Sequence, residues 1–216
     1  MIIFGIVLFH ELGHVFIAKL LGYKILDIEL FPFGGVTKVD KNLNDNIYKD
    51  LLLASFGIVF QLFIHIFCIY FGYYGIFYSY NISIMFFNLL PIIPLDGSKI
   101  VFEILNKFYS YKRSLFIYIV ISFFSIIIYF LFNFYYLINN YLIIGLFLMK
   151  TIEVLKERKV IFQKFILERY MYNLKFSKVK NKNEEINNYL KDTKYYYFDG
   201  NRVYDEKKFL EKLYKL

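Results

Sequence analysis

The chain predicts an all-α polytopic membrane protein of about five transmembrane helices, with a membrane-associated β-hairpin after the first and a small α+β cytoplasmic appendage at the end. Three observations predict it. Hydrophobic residues make up 58% of 216 and mean hydropathy is +0.46, more apolar surface than a soluble domain can hide. Lysine and arginine are absent from 1–18, 52–98 and 114–149, and are gathered instead in 19–49, 99–113 and the tail from Lys150. The stretches without Lys or Arg hold apolar runs of membrane-spanning length. Because cytoplasmic loops carry the excess of Lys and Arg, the three basic regions face the cytoplasm, the N-terminus lies outside and the C-terminus inside. The formal charge of +8 then reads as membrane orientation beside a lipid bilayer, with no nucleic acid as partner.

Residues 2–21 form the first span, about 30 Å long at 1.5 Å per residue. It contains Phe9-His10-Glu11-Leu12-Gly13-His14-Val15. Helical residues four apart differ by only about 40° around the axis and about 6 Å along it, so His10 and His14 project from one face and can hold one metal ion. A lone histidine in an apolar helix is ordinarily a packing residue. The pair with an intervening glutamate is instead the zincin arrangement, in which two neutral imidazoles ligate zinc and Glu11 takes the proton of the attacking water. The apolar start lacks a basic leading region and a small-residue cleavage site, so it reads as a resident helix and not a cleaved signal.

Residues 22–45 alternate weakly in Ile25-Leu26-Asp27-Ile28-Glu29-Leu30, turn at Phe31-Pro32-Phe33-Gly34-Gly35 and resume at Val36-Thr37-Lys38-Val39, which predicts two short strands. Leu51 to Phe71 is a second span. Ser55, Gly57 and Gln61 lie on it at helical spacing, a small and polar stripe suited to packing against a neighbouring helix. Gln61 is costly in lipid and can instead bind an exposed substrate backbone. His65 and Cys68 read as packing residues, neither having a spaced partner.

Residues 76–105 are too long and too broken for one helix. An apolar entry runs to Phe87, followed by Asn88-Leu89-Leu90-Pro91-Ile92-Ile93-Pro94-Leu95-Asp96-Gly97 and a helical exit. Freed backbone groups in a bilayer are tolerated only where buried in protein or lining a wet cavity. An acid at membrane depth needs a partner or an ion to offset its cost. Asp96 is a competent third zinc ligand beside two histidines, with the alternative that it caps the resuming helix. Leu115–Phe132 and Phe134–Met149 are two further spans without charge, joined by an outward turn.

From Lys150 the composition changes, dividing the chain into an intramembrane unit, 1–150, and a cytoplasmic region, 151–216. Residues 158–169 pattern as an amphipathic helix. Tyr195 to Tyr204 reads as a hairpin around Asp199-Gly200, with a helix from Glu206.

These motifs resemble the site-2 protease family of intramembrane zinc metalloproteases. His10-Glu11-Leu12-Gly13-His14 matches its first motif, and Asn88 to Gly97 looks like its second, with Leu95 between Pro94 and Asp96. The Phe31-to-Gly35 turn is similar to the loop after the catalytic helix in the sporulation-type subgroup, whose members release a sigma-factor precursor by cutting its pro-sequence. The resemblance covers about residues 1–150. It implies one zinc held by His10, His14 and Asp96, Glu11 as general base, and Asn88, Gly34, Gly35 and Gln61 on the substrate side. Ser55 to Gln61 stands where the family has an Ala-Gly-Pro-x-x-Asn-like segment, with Ile58 in place of proline and Gln61 in place of asparagine. Subgroup members have another span before the catalytic helix, so either this is a five-span variant or the start lies further upstream. The tail is shorter than the nucleotide-sensing CBS domain of those relatives, so ATP control is not implied.

The function expected is hydrolysis of a peptide bond in a membrane-embedded or membrane-associated protein, a sigma-factor precursor or an anti-sigma factor, under membrane regulatory partners. The alternative is a non-catalytic scaffold or a divalent-metal carrier. Glu11 separates the two, since a carrier has no need of a base beside its first ligand. Abundant Lys, Asn, Ile, Tyr and Phe suggest an AT-rich genome, favouring a bacterial cytoplasmic membrane.

Overall fold

The computed structural model describes residues 2–31, 34–132, 138–182, 186–199 and 202–214. The elements in order are α1 (Ile2–Leu20), β1 (Lys24–Phe31), β2 (Gly34–Asp40), α2 (Ile47–Tyr70), α3 (Ile76–Asn88), α4 (Asp96–Phe108), α5 (Tyr111–Phe132) and α6 (Ile138–Met171). The C-terminal part adds β3 (Lys178–Lys182), a 3-10 turn at Ile186–Asn188, β4 (Thr193–Asp199), β5 (Arg202–Asp205) and α7 (Glu206–Tyr214). Pro32-Phe33, the connection at 133–137 and the Gly200-Asn201 turn lie outside the described residues.

Among the described residues three helices, α1, α2 and α5, are long and apolar enough to cross a membrane. Their outward faces carry exposed Phe4, Phe63, Phe124 and Leu131, as a lipid-facing surface requires. Helix α1 stops at Gly22, whose φ of +80° lets the Tyr23 N–H reach the Ala18 carbonyl at 2.9 Å. The chain then turns into the antiparallel pair β1–β2, which packs back on α1. Asn46 starts α2 by accepting from the Tyr48 and Lys49 amides.

The broken apolar segment is two 13-residue helices, α3 and α4, each about 20 Å long and too short to span alone. Their junction is held from behind. The Ile93 N–H donates to Ser122 Oγ at 3.0 Å, Ser122 meets Thr151 Oγ1 at 3.0 Å, and the Thr151 hydroxyl donates to the Phe147 carbonyl at 2.8 Å. A relay from α5 and α6 therefore satisfies the backbone that delivers Asp96, which is how an irregular stretch survives at membrane depth.

The expected last span and the amphipathic stretch 158–169 form one 34-residue helix, α6, not two elements. Neither proline nor glycine stands between Met149 and Arg158 to interrupt the backbone ladder. In the C-terminal sheet β4 and β5 pair antiparallel, with α7 following, at the expected positions. Strand β3, which pairs parallel with β4, carries no such pattern in Lys178-Val179-Lys180-Asn181-Lys182.

This C-terminal region is docked tightly. Tyr111 stacks on Phe165 at 4.0 Å, and both share a core with Tyr189, Tyr195, Tyr197 and Leu210. Buried Arg169 donates to Asn44 Oδ1 at 2.6 Å, to the carbonyls of Thr193 and Leu190 at 2.9 and 2.6 Å, and to Glu206 at 2.9 Å. Buried Lys191 donates to Asp50 of α2 and to both Glu103 oxygens of α4 at 2.8 Å. Burial works against the Lys191 charge, but Glu103 and Asp50 outweigh it and hold the ammonium pKa above its ordinary value.

Lys191→Met should therefore destabilise the protein by about 3–5 kcal/mol, because it leaves the buried Glu103 and Asp50 carboxylates without their shared cation. Unfolding in detergent, followed by circular dichroism, measures this, and an unchanged midpoint would remove the ion cluster from the account of docking. On the alkaline side the contribution should stay complete up to pH 10.5, the ordinary lysine value, and fade only as pH rises through the higher folded-state value.

Candidate metal centre

His10 and His14 stand one turn apart on α1, with ring centroids 4.8 Å apart. Asp96 is the first residue of α4, one position after the N-cap residue Leu95. Its Oδ2 lies 2.8 Å from His10 Nε2 and 2.9 Å from His14 Nε2, and the two Nε2 atoms are 3.1 Å apart. Exposure is 4%, 6% and 4% for His10, His14 and Asp96, so the group has little water to screen it. Among the described residues this is the one cluster of three or more ligating side chains.

The outer nitrogens decide what the inner atoms are. His14 Nδ1 lies 2.8 Å from the Leu53 carbonyl, and His10 Nδ1 lies 3.0 Å from Gln61 Oε1. Both oxygens only accept, so each neutral ring carries its hydrogen on Nδ1 and presents a lone pair at Nε2. Two imidazole lone pairs and a carboxylate oxygen then converge, a donor set that a cation at their centre would satisfy. Ligands of a four-coordinate zinc ion, bound at about 2.0–2.1 Å, sit about 3.3 Å apart. The observed separations are close to that, and a nitrogen, nitrogen, oxygen donor set suits zinc.

Lys99, one turn after Asp96, donates to Asp96 Oδ1 at 2.8 Å and leaves Oδ2 for the centre. Glu11, 3% exposed, accepts from Thr37 Oγ1 of β2 at 2.6 Å. Gly35 lies so close that an added Cβ would come within 2.6 Å of Glu11 Cδ. Strand β2 is thereby laid against the carboxylate that follows the first histidine. On α2, Gly57 fills the same role beside the rings, since a Cβ there would stand 2.5 Å from both His10 Cε1 and His14 Nε2.

A cavity of about 910 Å³ opens on these groups. Its lining combines apolar Val7, Ile84, Phe87 and Leu146 with charged Lys41, Asp50, Glu103 and Lys191. Asn88, the last residue of α3, lines it, as does Gly35. Gly34 pairs with Phe31 at the end of the hairpin. Gln61 is fully buried, and its side-chain oxygen faces His10.

Lys99 and Thr37 escaped the sequence reading. Lys99 was legible in principle, three residues after Asp96 on a helix. Thr37 carried no local signal, because only the fold of the hairpin over α1 brings it to Glu11.

The sequence model of Peptidase family M50 matches residues 1–76 and 72–132. The chain is 37% identical over 121 residues to zinc metalloprotease MJ0392 of Methanocaldococcus jannaschii, covering 52% of this chain and 36% of that protein. It is 32% identical over 117 residues to stage IV sporulation protein FB of Bacillus subtilis, covering 50% of this chain and 41% of that one. The chain thus spans well under half the length of these curated relatives. The solved site-2 protease from Methanocaldococcus jannaschii superposes with a TM-score of 0.54 at 31% identity, over 73% of this chain and 76% of that one. With the matched residues holding both histidines, Glu11 and Asp96, and the fold shared over most of its length, this chain belongs to Peptidase family M50.

Proposed function

We propose that the protein is an intramembrane zinc endopeptidase that hydrolyses a peptide bond of a membrane-embedded or membrane-associated protein. The observation that carries this is the convergence of His10 Nε2, His14 Nε2 and Asp96 Oδ2 beside Glu11 in a mainly apolar cavity that also bears charged side chains. His10, His14 and Asp96 would hold the ion. Bound there, zinc supplies Lewis-acid polarisation of the scissile carbonyl and lowers the pKa of water toward neutrality. Glu11 accepts the proton of the attacking water and returns it to the leaving amine. Lys99 keeps Asp96 in one orientation, and Thr37 holds Glu11 until substrate arrives. Asn88, Gly34 and Gly35 lie on the substrate side. A carrier would not need the carboxylate at Glu11, which favours the hydrolase over the carrier and scaffold readings.

In this reading the chain crosses a bacterial cytoplasmic membrane about five times, with 151–216 in the cytoplasm and the N-terminus outside. The substrate class implied by the resemblance is a sigma-factor precursor or an anti-sigma factor. The proposal is tested without a substrate. Detergent-purified wild type should hold about one zinc per chain, and Asp96→Ala should lose most of it. Wild type that binds no zinc when supplied with it, or Asp96→Ala that binds as well as wild type, would overturn the three-ligand centre.

A further inference from the structure

Gln61 is an amide buried completely in the middle of α2, a mainly apolar helix. An uncompensated amide at membrane depth costs several kcal/mol, at the order of magnitude of transfer into hydrocarbon. Its oxygen is used: Oε1 lies 3.0 Å from His10 Nδ1. Its Nε2 finds no hydrogen-bond partner among the described residues. The residue is therefore not placed to satisfy itself, since half of its hydrogen-bonding capacity is left empty while the other half meets one ring nitrogen.

The direction of that contact matters. With Oε1 toward the ring, the Nδ1 hydrogen is fixed and the Nε2 lone pair points at Asp96 and His14. With the amide reversed, its N–H would face Nδ1, the ring hydrogen would move to Nε2, and that hydrogen would occupy the place of the ion. His14 receives the same service from the Leu53 carbonyl at 2.8 Å. Backbone cannot be exchanged, so His10 is the ligand whose orientation depends on a side chain. The position is itself held from outside, where Asn81 Nδ2 of α3 donates to the Gln61 backbone carbonyl at 3.1 Å.

We propose that Gln61 is a positioning residue that fixes the tautomer and ring orientation of His10, and so sets metal affinity without touching metal or substrate. The proposal rests on the reading of His10, His14 and Asp96 as a zinc centre. Partners of this kind on metal-bound histidines are worth roughly 10–100-fold in affinity.

The experiment uses the full chain in detergent. Zinc affinity is read by chelator competition, and cobalt(II) absorption reports the ligand field, for wild type, Gln61→Leu and Gln61→Glu. Gln61→Leu keeps the volume and removes the acceptor, so zinc should bind 10–100-fold more weakly and the cobalt bands should change. Gln61→Glu restores an acceptor at the same place and should return the affinity to within a few-fold of wild type. If Gln61→Leu fails to fold, Gln61→Met of similar length replaces it. Wild-type affinity in the apolar variant, or equal losses in the apolar and acidic variants, would overturn the positioning role and leave the centre standing. Absence of metal binding by wild type would instead overturn the centre, and this proposal with it.

Discussion

Glu11→Gln should reduce peptide-bond hydrolysis by roughly 10²–10⁴-fold while zinc content stays near one per chain. The substitution keeps size and the contact with Thr37, now with an amide oxygen as acceptor, and removes only the capacity to take a proton. A loss of about 10³ corresponds to about 4 kcal/mol of barrier. The measurement is cleavage of single-span reporter proteins reconstituted in vesicles with wild type or variant, alongside zinc analysis of the same preparations. Equal cleavage by the two proteins would remove Glu11 from the chemistry. Loss of both zinc and cleavage would show that the carboxylate holds the centre together and is not simply its base.

Gly57→Ala should be nearly as damaging by an unrelated route. The added methyl would stand 2.5 Å from His10 Cε1 and His14 Nε2 and 2.6 Å from His10 Nε2, so something must move. The rings are the softest neighbours, yet His10 is tied to Gln61 and His14 to Leu53, and turning either one removes a ligand. Zinc affinity should fall by at least about 10–100-fold, the loss expected when a ligand is misdirected. Gly5→Ala is the control on the catalytic helix, because a Cβ there meets nothing within 4 Å. It should bind zinc as wild type does, with slightly better helix propensity. Normal zinc binding by Gly57→Ala would mean that the α1–α2 approach is looser than the geometry gives.

The ion cluster that ties the C-terminal region to α2 and α4 bears on both results. Lys191 of the C-terminal region lines the same cavity as His10 and Asp96, and reaches it by pairing with Asp50 and Glu103. Residues 151–216 thus supply part of the wall beside the centre, and variants in that region belong in any survey of activity.

How much of this was legible beforehand follows from the range of each interaction. His10, Glu11 and His14 lie within one helical turn, so helical period alone brings them together. Asp96 stood out because an acid at membrane depth must be offset by something, and the prolines and glycine around it announced an irregular backbone. The hairpin at 24–40 and the helix pair flanking 89–95 were likewise written in local turn chemistry. Strand β3 was not, because its pairing with β4 is decided by a partner ten or more residues away, and its own residues have no alternation.

What the sequence by itself determined, then, is the residue types of the centre, the helix that carries two of its ligands, and the apolar setting that makes them costly without an ion. The tertiary structure alone decided how they are held: Gln61 turned toward His10 and away from the cavity, Thr37 laid on Glu11, Lys99 on Asp96, and Lys191 driven between Asp50 and Glu103. Each of these joins groups on different elements or fixes which way a side chain points. Periodicity specifies a face of a helix, but only packing against the next element specifies what that face meets.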